Sequence, residues 1–237
     1  MKSLSGLTDF REKTEVIVVS DCSPGPAEEI CQKFSSRLNL RYHQHKRNLS
    51  VFQARKSGID LARGRYILSL DSDDYLIEMR WGDLIRHLDE HDVDILRFSI
   101  ATEKDKVSSL DRNVIFHEKV WDYFVSSQHW QLAGTIVKKN LFSYFFSSLS
   151  PLKARCYINM ADDLCMSVGI FNNAKTLELN NNFGSYFYRL NYSSLTTSNY
   201  GENKERAKKI GNDYLACRIV SLHYLKDDER KKDFQRL

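Results

Sequence analysis

Asp71, Asp73 and Asp74 follow the run Tyr66-Ile67-Leu68-Ser69-Leu70, so a short apolar, β-prone segment ends in three carboxylates within four residues. Like charges repel and resist burial, and a divalent cation removes that conflict. Hard oxygens on neighbouring backbone positions suit Mg²⁺ or Mn²⁺, and such a cation in turn holds the phosphates of a nucleotide. The alternative for the same residues is a solvated turn after a strand, where Asp and Ser are common. Asp21 closes a second run, Glu15-Val16-Ile17-Val18-Val19-Ser20, just before the breaker-rich Cys22-Ser23-Pro24-Gly25-Pro26. Asp162 and Asp163 precede Leu164, Met166, Val168 and Ile170, and this reads as a helix over 161–170 with an acidic first turn. Carboxylates are favourable there against the helix dipole, and locally that role accounts for both.

The elements that position these groups follow from periodicity. Glu15 to Ser20 is β-branched without alternation and reads as a strand buried on both faces. Ile30, Phe34 and Leu38 recur every four residues, which predicts a helix over Ala27 to Leu38, and Leu40 to His43 reads as a short strand. Val51, Ala54, Ile59 and Ala62 predict a second helix over Ser50 to Ala62 that stops near Gly64, and Tyr66 to Leu70 is the next buried strand. Later segments are less regular: a helix at Leu84 to Leu88, a strand at Val93 to Ile100, a helix at Val120 to Val125, then strands at Thr135 to Val137 and Tyr186 to Arg189. Alternation of strand and helix implies an α/β fold with a mostly parallel central sheet and helices on both faces. Ligands in such sheets bind beyond the carboxyl ends of the strands, the ends that carry Asp21 and the Asp71–Asp74 cluster. Residues 1–200 read as one domain, and 201–237 as a charged helical tail.

Bulk properties fit a globular chain of 237 residues with 42% hydrophobic and 28% charged residues. A net charge of +4 with no stripe of basic and aromatic residues argues against nucleic acid as a partner. Five scattered Cys without a CxxC pair give neither a disulfide framework nor a zinc site, as expected of a cytoplasmic protein. The start lacks the apolar core of a signal peptide and no run is long enough to span a bilayer; peripheral attachment at the inner membrane surface stays open.

Taken in order, Val18-Val19-Ser20-Asp21-Cys22-Ser23, Asn48, Ala54-Arg55, Gly58-Ile59, Ala62, Gly64, Tyr66-Ile67 and Leu70 to Asp74 look like the N-terminal half of family 2 glycosyltransferases. Further on, Asp94-Ile95, Phe98, Ala161-Asp162-Asp163-Leu164 and the segment Tyr186 to Ser194 fit the same pattern. The resemblance implies a GT-A fold and inverting sugar transfer from a nucleotide-diphosphate donor, by default a UDP-sugar. The acceptor would be a glycan or lipid-linked molecule, and the cofactor Mn²⁺ or Mg²⁺. It further implies that Asp21 reads the nucleoside base, that Asp71 and Asp73 are the DxD pair, and that Asp73 contacts the metal with Asp71 nearer the ribose or a metal-bound water. Asp163 falls at the general base. Arg55 lies on the helix that faces the nucleotide, and Arg189 is placed to neutralise the leaving diphosphate. From their own surroundings, Arg55 could instead pair with an acidic neighbour and Arg189 could solvate a strand end.

Two alternatives stand beside this reading. The fourteen residues before Glu15 do not contain the strand and helix, ending in Pro-x-Tyr-Asn, with which such enzymes usually begin. That departure implies a catalytically inactive glycosyltransferase-like module or remnant. A phosphotransferase of the haloacid-dehalogenase type also has a strand ending in Asp-x-Asp, but Tyr75 stands where its motif wants Thr or Val.

Overall fold

The computed structural model describes residues 1–7, 10–102, 114–117, 119–189 and 204–237. Along the chain run α1 (Lys2–Ser5), α2 (Phe10–Lys13), β1 (Glu15–Ser20), α3 (Ala27–Phe34), β2 (Asn39–Gln44), α4 (Val51–Leu61), β3 (Tyr66–Leu68) and β4 (Tyr75–Ile77). They are followed by α5 (Trp81–His91), β5 (Ile95–Arg97), β6 (Ser99–Ala101), β7 (Val114–His117), α6 (Val120–Ser127), β8 (Thr135–Lys138) and α7 (Lys139–Ser148). The chain continues through α8 (Asp162–Asn173), β9 (Thr176–Leu179), β10 (Ser185–Phe187), α9 (Lys204–Tyr224) and α10 (Asp228–Arg236).

The central sheet runs β3-β8-β5-β9-β7. Successive residues of its strands point into two different cores, as the pleat demands. Ile95, Val137 and Leu177 face a core shared with α6, α7, α8, α9 and α10, whereas Leu96 and Ile136 face the opposite core with α1, α2 and α5. Helices therefore cover both faces. Val220, Tyr224 and Phe234 from the last two helices, and Leu225 between them, are buried in the first of these cores, beside Phe124 and Phe145. The proposed boundary between residues 200 and 201 lies outside the described residues.

Strand pairing corrects one expectation. Only β5 and β9 run parallel within the central sheet; β3 with β8, β8 with β5, and β7 with β9 are antiparallel. The mostly parallel sheet read from the sequence is a mixed one. The reason is β8: it enters between β3 and β5 from far along the chain and runs against both. The strand read over Val93 to Ile100 is also two strands. Phe98 donates its amide to the Gly134 carbonyl, and beyond it β6 leaves the central sheet for a second one, β4-β10-β6.

A second correction concerns burial. The β-branched strand β1 is half-exposed at Val16, Ile17, Val18 and Val19, and so is β3 at Tyr66, Ile67 and Leu68. The first reads from the sequence as buried on both faces and the second as a buried strand. Among the described residues β1 hydrogen-bonds only β2, in a separate parallel pair, and β3 only β8. Each thus keeps one edge without a ladder. Their starts are joined by a side chain instead. Glu15 Oε1 accepts from the amides of Arg63 and Gly64 at 2.5 and 2.9 Å, and its Oε2 accepts from Arg41 at 2.7 Å.

Candidate active site

Four element ends meet on one side of the molecule. β1 ends in Asp21, β3 leads into Asp71–Asp74, β10 leads into Arg189, and α8 begins with Asp162-Asp163. Helix α4 ties them together. Its first turn is capped by Ser50, whose Oγ accepts from Gln53 N at 3.5 Å, the usual work of Ser at this position.

Arg55, one turn further along α4, is the hub. Its Nε donates to Asp162 Oδ2 at 2.7 Å and its Nη2 to Asp71 Oδ1 at 3.0 Å. Only 17% of its side chain is exposed. Residues separated by 107 positions are thus drawn together, and the acidic start of α8 is bound to the acidic tip of β3. Burial opposes the charge on Arg55, but Asp162 and Asp71 outweigh it and raise the guanidinium pKa further above its ordinary value. Asp162 is itself buried, and burial pushes its pKa up while Arg55 pulls it back. The 2.7 Å bond to a permanently charged guanidinium keeps it ionised. For Asp162 the helix-dipole role is therefore secondary to this ion pair.

Asp163, the next residue, has no such partner among the contacts described. Burial first, and then the charge on Asp162, raise its pKa to about 7; Arg55 and the Leu164 amide, which donates to Asp163 Oδ1 at 3.0 Å, act in the opposite sense. A carboxylate bonded to a guanidinium next to one without an ionic partner is the arrangement expected where one holds geometry and the other moves a proton.

The acidic tip is built around Tyr186 of β10. Its hydroxyl donates to Asp74 Oδ2 at 2.6 Å and accepts from the Asp71 amide at 3.2 Å. The Arg189 amide donates to Asp74 Oδ1 at 2.9 Å, which places Arg189 beside the cluster with its side chain exposed. Asp74 has a raised pKa, chiefly from burial, with the charges of Asp71 and Asp73 adding to it and the bonds from Tyr186 and Arg189 opposing it. Asp73 is half-buried between these two held carboxylates. The part of the resemblance from Leu190 to Ser194 lies outside the described residues.

Asp21 is brought to the same side and is held firmly. Its Oδ1 lies 2.7 Å from His45 Nδ1 and accepts from Leu49 N at 2.8 Å, while Oδ2 accepts from Ser50 N at 2.9 Å. His45 in turn lies 2.9 Å from Ser57 Oγ on α4. Asp21 therefore braces the loop into α4, a role its position in the sequence did not reveal. Tyr186 and Ser50 enter the sequence reading only as the starts of a motif and a helix, and His45 not at all, because their partners are distant in sequence or are backbone amides.

Among the described residues no three His, Cys, Asp or Glu side chains converge to cage a metal by themselves. The donor set still fits a cation shared with a ligand. Asp71, Asp73 and Asp74 offer hard oxygens on neighbouring positions, and the repulsion from Asp71 and Asp73, which adds to the burial that raises the Asp74 pKa, is what a cation would relieve.

Comparison with known proteins gives the family and the fold. The GgaB protein of Bacillus subtilis (strain 168), described as a minor teichoic acid biosynthesis protein, is 35% identical over 146 residues, covering 59% of this chain and 16% of that protein. The poly(ribitol-phosphate) beta-N-acetylglucosaminyltransferase TarS of Staphylococcus aureus (strain Mu50 / ATCC 700699) is 35% identical over 90 residues, covering 37% of this chain and 16% of that protein. This chain thus spans a small fraction of the length of both. The crystal structure of S. aureus TarS 1–349 in complex with UDP-GlcNAc superposes with a TM-score of 0.76 at 19% identity, covering 98% of this chain and 64% of that one, so the two share the GT-A fold. The family model for glycosyl transferase family 2 matches residues 2–149, which sets the haloacid-dehalogenase alternative aside. No helix among the described residues is long and apolar enough to cross a membrane. On the family match and the shared fold, the chain belongs to glycosyl transferase family 2.

Proposed function

We propose that this chain transfers a sugar from a uridine diphosphate donor to an acceptor hydroxyl with inversion, with Asp163 as the general base. The carrying observation is the carboxyl of Asp163, raised to about 7 beside an Arg55–Asp162–Asp71 network that fixes it relative to the acidic tip of β3. As the acceptor oxygen bonds to the anomeric carbon, its proton passes to Asp163, and the bond from that carbon to the phosphate oxygen breaks on the opposite face. The products are the glycosylated acceptor, the nucleoside diphosphate and a protonated Asp163. Arg55 and Asp162 hold α8 in place, and Arg189, exposed next to Asp74, stands where it can meet the departing charge. A divalent cation, Mg²⁺ or Mn²⁺, held by Asp73 with Asp71 alongside, would supply electrostatic stabilisation of the leaving diphosphate. The UDP and UDP-GlcNAc bound by TarS structures support this donor class.

The test is Asp163→Asn, assayed with UDP-GlcNAc for transfer and by calorimetry for UDP. Transfer should fall by about 10²–10⁴ while UDP binding is kept. Undiminished transfer would remove Asp163 from the base role. A second reading, a nucleotide-binding module without turnover, has one observation in its favour: among the described residues β1 and β3 each keep an edge without a ladder beside the site. UDP binding by the wild type with no transfer or donor hydrolysis would select it.

A further inference from the structure

Residues 128–134 join α6 to β8 and run from the helix of Asp163 to the strand behind the acidic tip. At one end the Trp130 carbonyl accepts from Ser167 Oγ of α8 at 2.8 Å. Ser167 lies one turn beyond Asp163, on the same face of the helix and about 6 Å along its axis. At the other end Gly134 is pressed against β10: a Cβ there would lie 2.9 Å from the Phe98 carbonyl oxygen and 3.5 Å from Cβ of Tyr186, whose hydroxyl holds Asp74. Inversion brings the acceptor in from the side of the base, opposite the diphosphate, and Trp130 is fastened to that side.

Three successive carbonyls of this segment are held. Ser167 takes that of Trp130, and Arg97 of β5 donates to those of His129 and Gln131 at 2.5 and 3.1 Å. Arg97 is buried, and among the described residues it meets no carboxylate; Tyr123 is its other polar partner. A guanidinium out of water and without a counter-ion is costly unless its hydrogen bonds are made. Two of those bonds go to the residues on either side of Trp130.

The surface fixed in this way is aromatic and neutral. From Ser126 to Val137 the chain carries no Asp, Glu, Lys or Arg. Gln128, His129 and Gln131 are exposed around the half-buried Trp130. Burial, and then the charge on Arg97, lowers the His129 pKa, so its imidazole is neutral at pH 7. Trp81 donates its indole N–H to Thr14 and Trp121 to Asp233, at 2.8 and 3.3 Å, whereas that of Trp130 has no partner among the described residues. An aromatic face with an unused N–H, bordered by amides and a neutral imidazole, matches the C–H face and hydroxyls of a sugar ring and offers no formal charge to an anion.

We propose that Trp130 is the acceptor platform, on which a neutral pyranose ring stacks on the Asp163 side of the site, with Arg97 and Ser167 as positioning residues. The inference rests on the glycosyltransferase reading and adds the acceptor class.

The experiment follows indole fluorescence of the full chain, with UDP and Mn²⁺ present. The probes are methyl β-glucopyranoside, methyl β-galactopyranoside and methyl N-acetyl-β-glucosaminide, with ribitol 5-phosphate as the acyclic, anionic comparison. At least one glycoside should change the wild-type signal. W130L should abolish that change, with Trp81 and Trp121 left as internal controls, and keep its UDP affinity by calorimetry. With that glycoside as acceptor and UDP-GlcNAc as donor, the acceptor KM should rise about tenfold in W130L and by a smaller factor in S167A, while the KM for UDP-GlcNAc stays the same. An unchanged response in W130L, no response to any of the three glycosides, or a stronger response to ribitol 5-phosphate would overturn the proposal. So would a matching loss of UDP affinity and melting temperature in W130L, which would make Trp130 a core residue only. Wild-type protein that binds a glycoside but not UDP would count against the donor reading alone.

Discussion

At the scale of single residues, the pair Asp162-Asp163 divides its work by environment. A base must be deprotonated to act, and burial together with the charge on Asp162 holds the Asp163 proton up to about pH 7. Transfer should therefore rise with pH through a midpoint near about 7 and level off above it, provided proton uptake by Asp163 limits the rate; Asp163→Asn should flatten that limb. The same shift has a stability sign. A carboxyl whose pKa is raised in the folded state binds its proton more tightly there than in the unfolded chain, so stability falls as pH rises between the ordinary carboxylate value and about 7. Asp163→Asn should consequently melt above the wild type at pH 8, with the gain shrinking at pH 4. Equal melting differences at both pH values would show that Asp163 is not perturbed. The sequence showed where these carboxylates lie but not which of them is held: Arg55 finds Asp162 across 107 residues, and Tyr186 finds Asp74 across 112. Backbone strain gathers here as well. Cys22, Ser50 and Ala161 have φ values of 60°, 98° and 60°, and each adjoins a residue of the network.

At the scale of elements, periodic segments were legible and irregular ones were not. The strand at Glu15–Ser20 has the bounds read from its β-branched run, and α4 lies within one residue of its expected ends because cap and apolar spacing agree. Helix α7 was missed, although Leu141, Phe142, Phe145 and Phe146 recur at helical spacing, because the run around it is rich in aromatics and Ser without a capping residue. Strand β4 was missed because only three residues separate the acidic turn from Glu78. Helix α8 shows what depends on such packing. Gly169 sits where α7 crosses, and a Cβ there would overlap the Phe145 ring. Phe145 is fully buried and cannot swing away without disturbing Phe146 and Tyr224, whose rings lie 5.2 Å from its own. Gly169→Ala should thus cost about 1–3 kcal/mol, the range for overpacking a filled core, despite the better helix propensity of Ala. Denaturant midpoints would check it, and an unchanged or raised midpoint would mean that α7 and α8 slide apart freely. Because α8 carries Asp162 and Asp163 at its start, the same variant should also lower transfer.

At the scale of the whole molecule, the break between the β1–β2 pair and the central sheet sets how firmly Asp21 is positioned relative to Asp71. No backbone ladder crosses it among the described residues. The Glu15 carboxylate does part of that work, with two amides on Oε1 and the Arg41 guanidinium on Oε2, and Arg41 also bonds the Leu61 carbonyl at the end of α4. Burial alone would raise the Glu15 pKa; the Arg63 and Gly64 amides and Arg41 outweigh it, and the net direction is downward. A carboxyl lowered in the folded state contributes stability above its unfolded value, and that contribution is lost as pH falls through the folded value. Glu15→Gln keeps the shape but removes the charge, so it should cost about 1–3 kcal/mol at neutral pH, the range for a charged group serving several hydrogen bonds. The difference from the wild type should close in acid, once Glu15 is protonated. Hydrogen exchange separates this from a general loss of stability: amides of β1 and β2 should exchange faster in Glu15→Gln, while those of β5 and β9 should be little changed. Uniform acceleration would mean that the two sheets unfold as one unit and that Glu15 is an ordinary surface-edge carboxylate. If the β1–β2 pair alone loosens, Asp21 loosens with it, and donor affinity should weaken before the rate at saturating donor does.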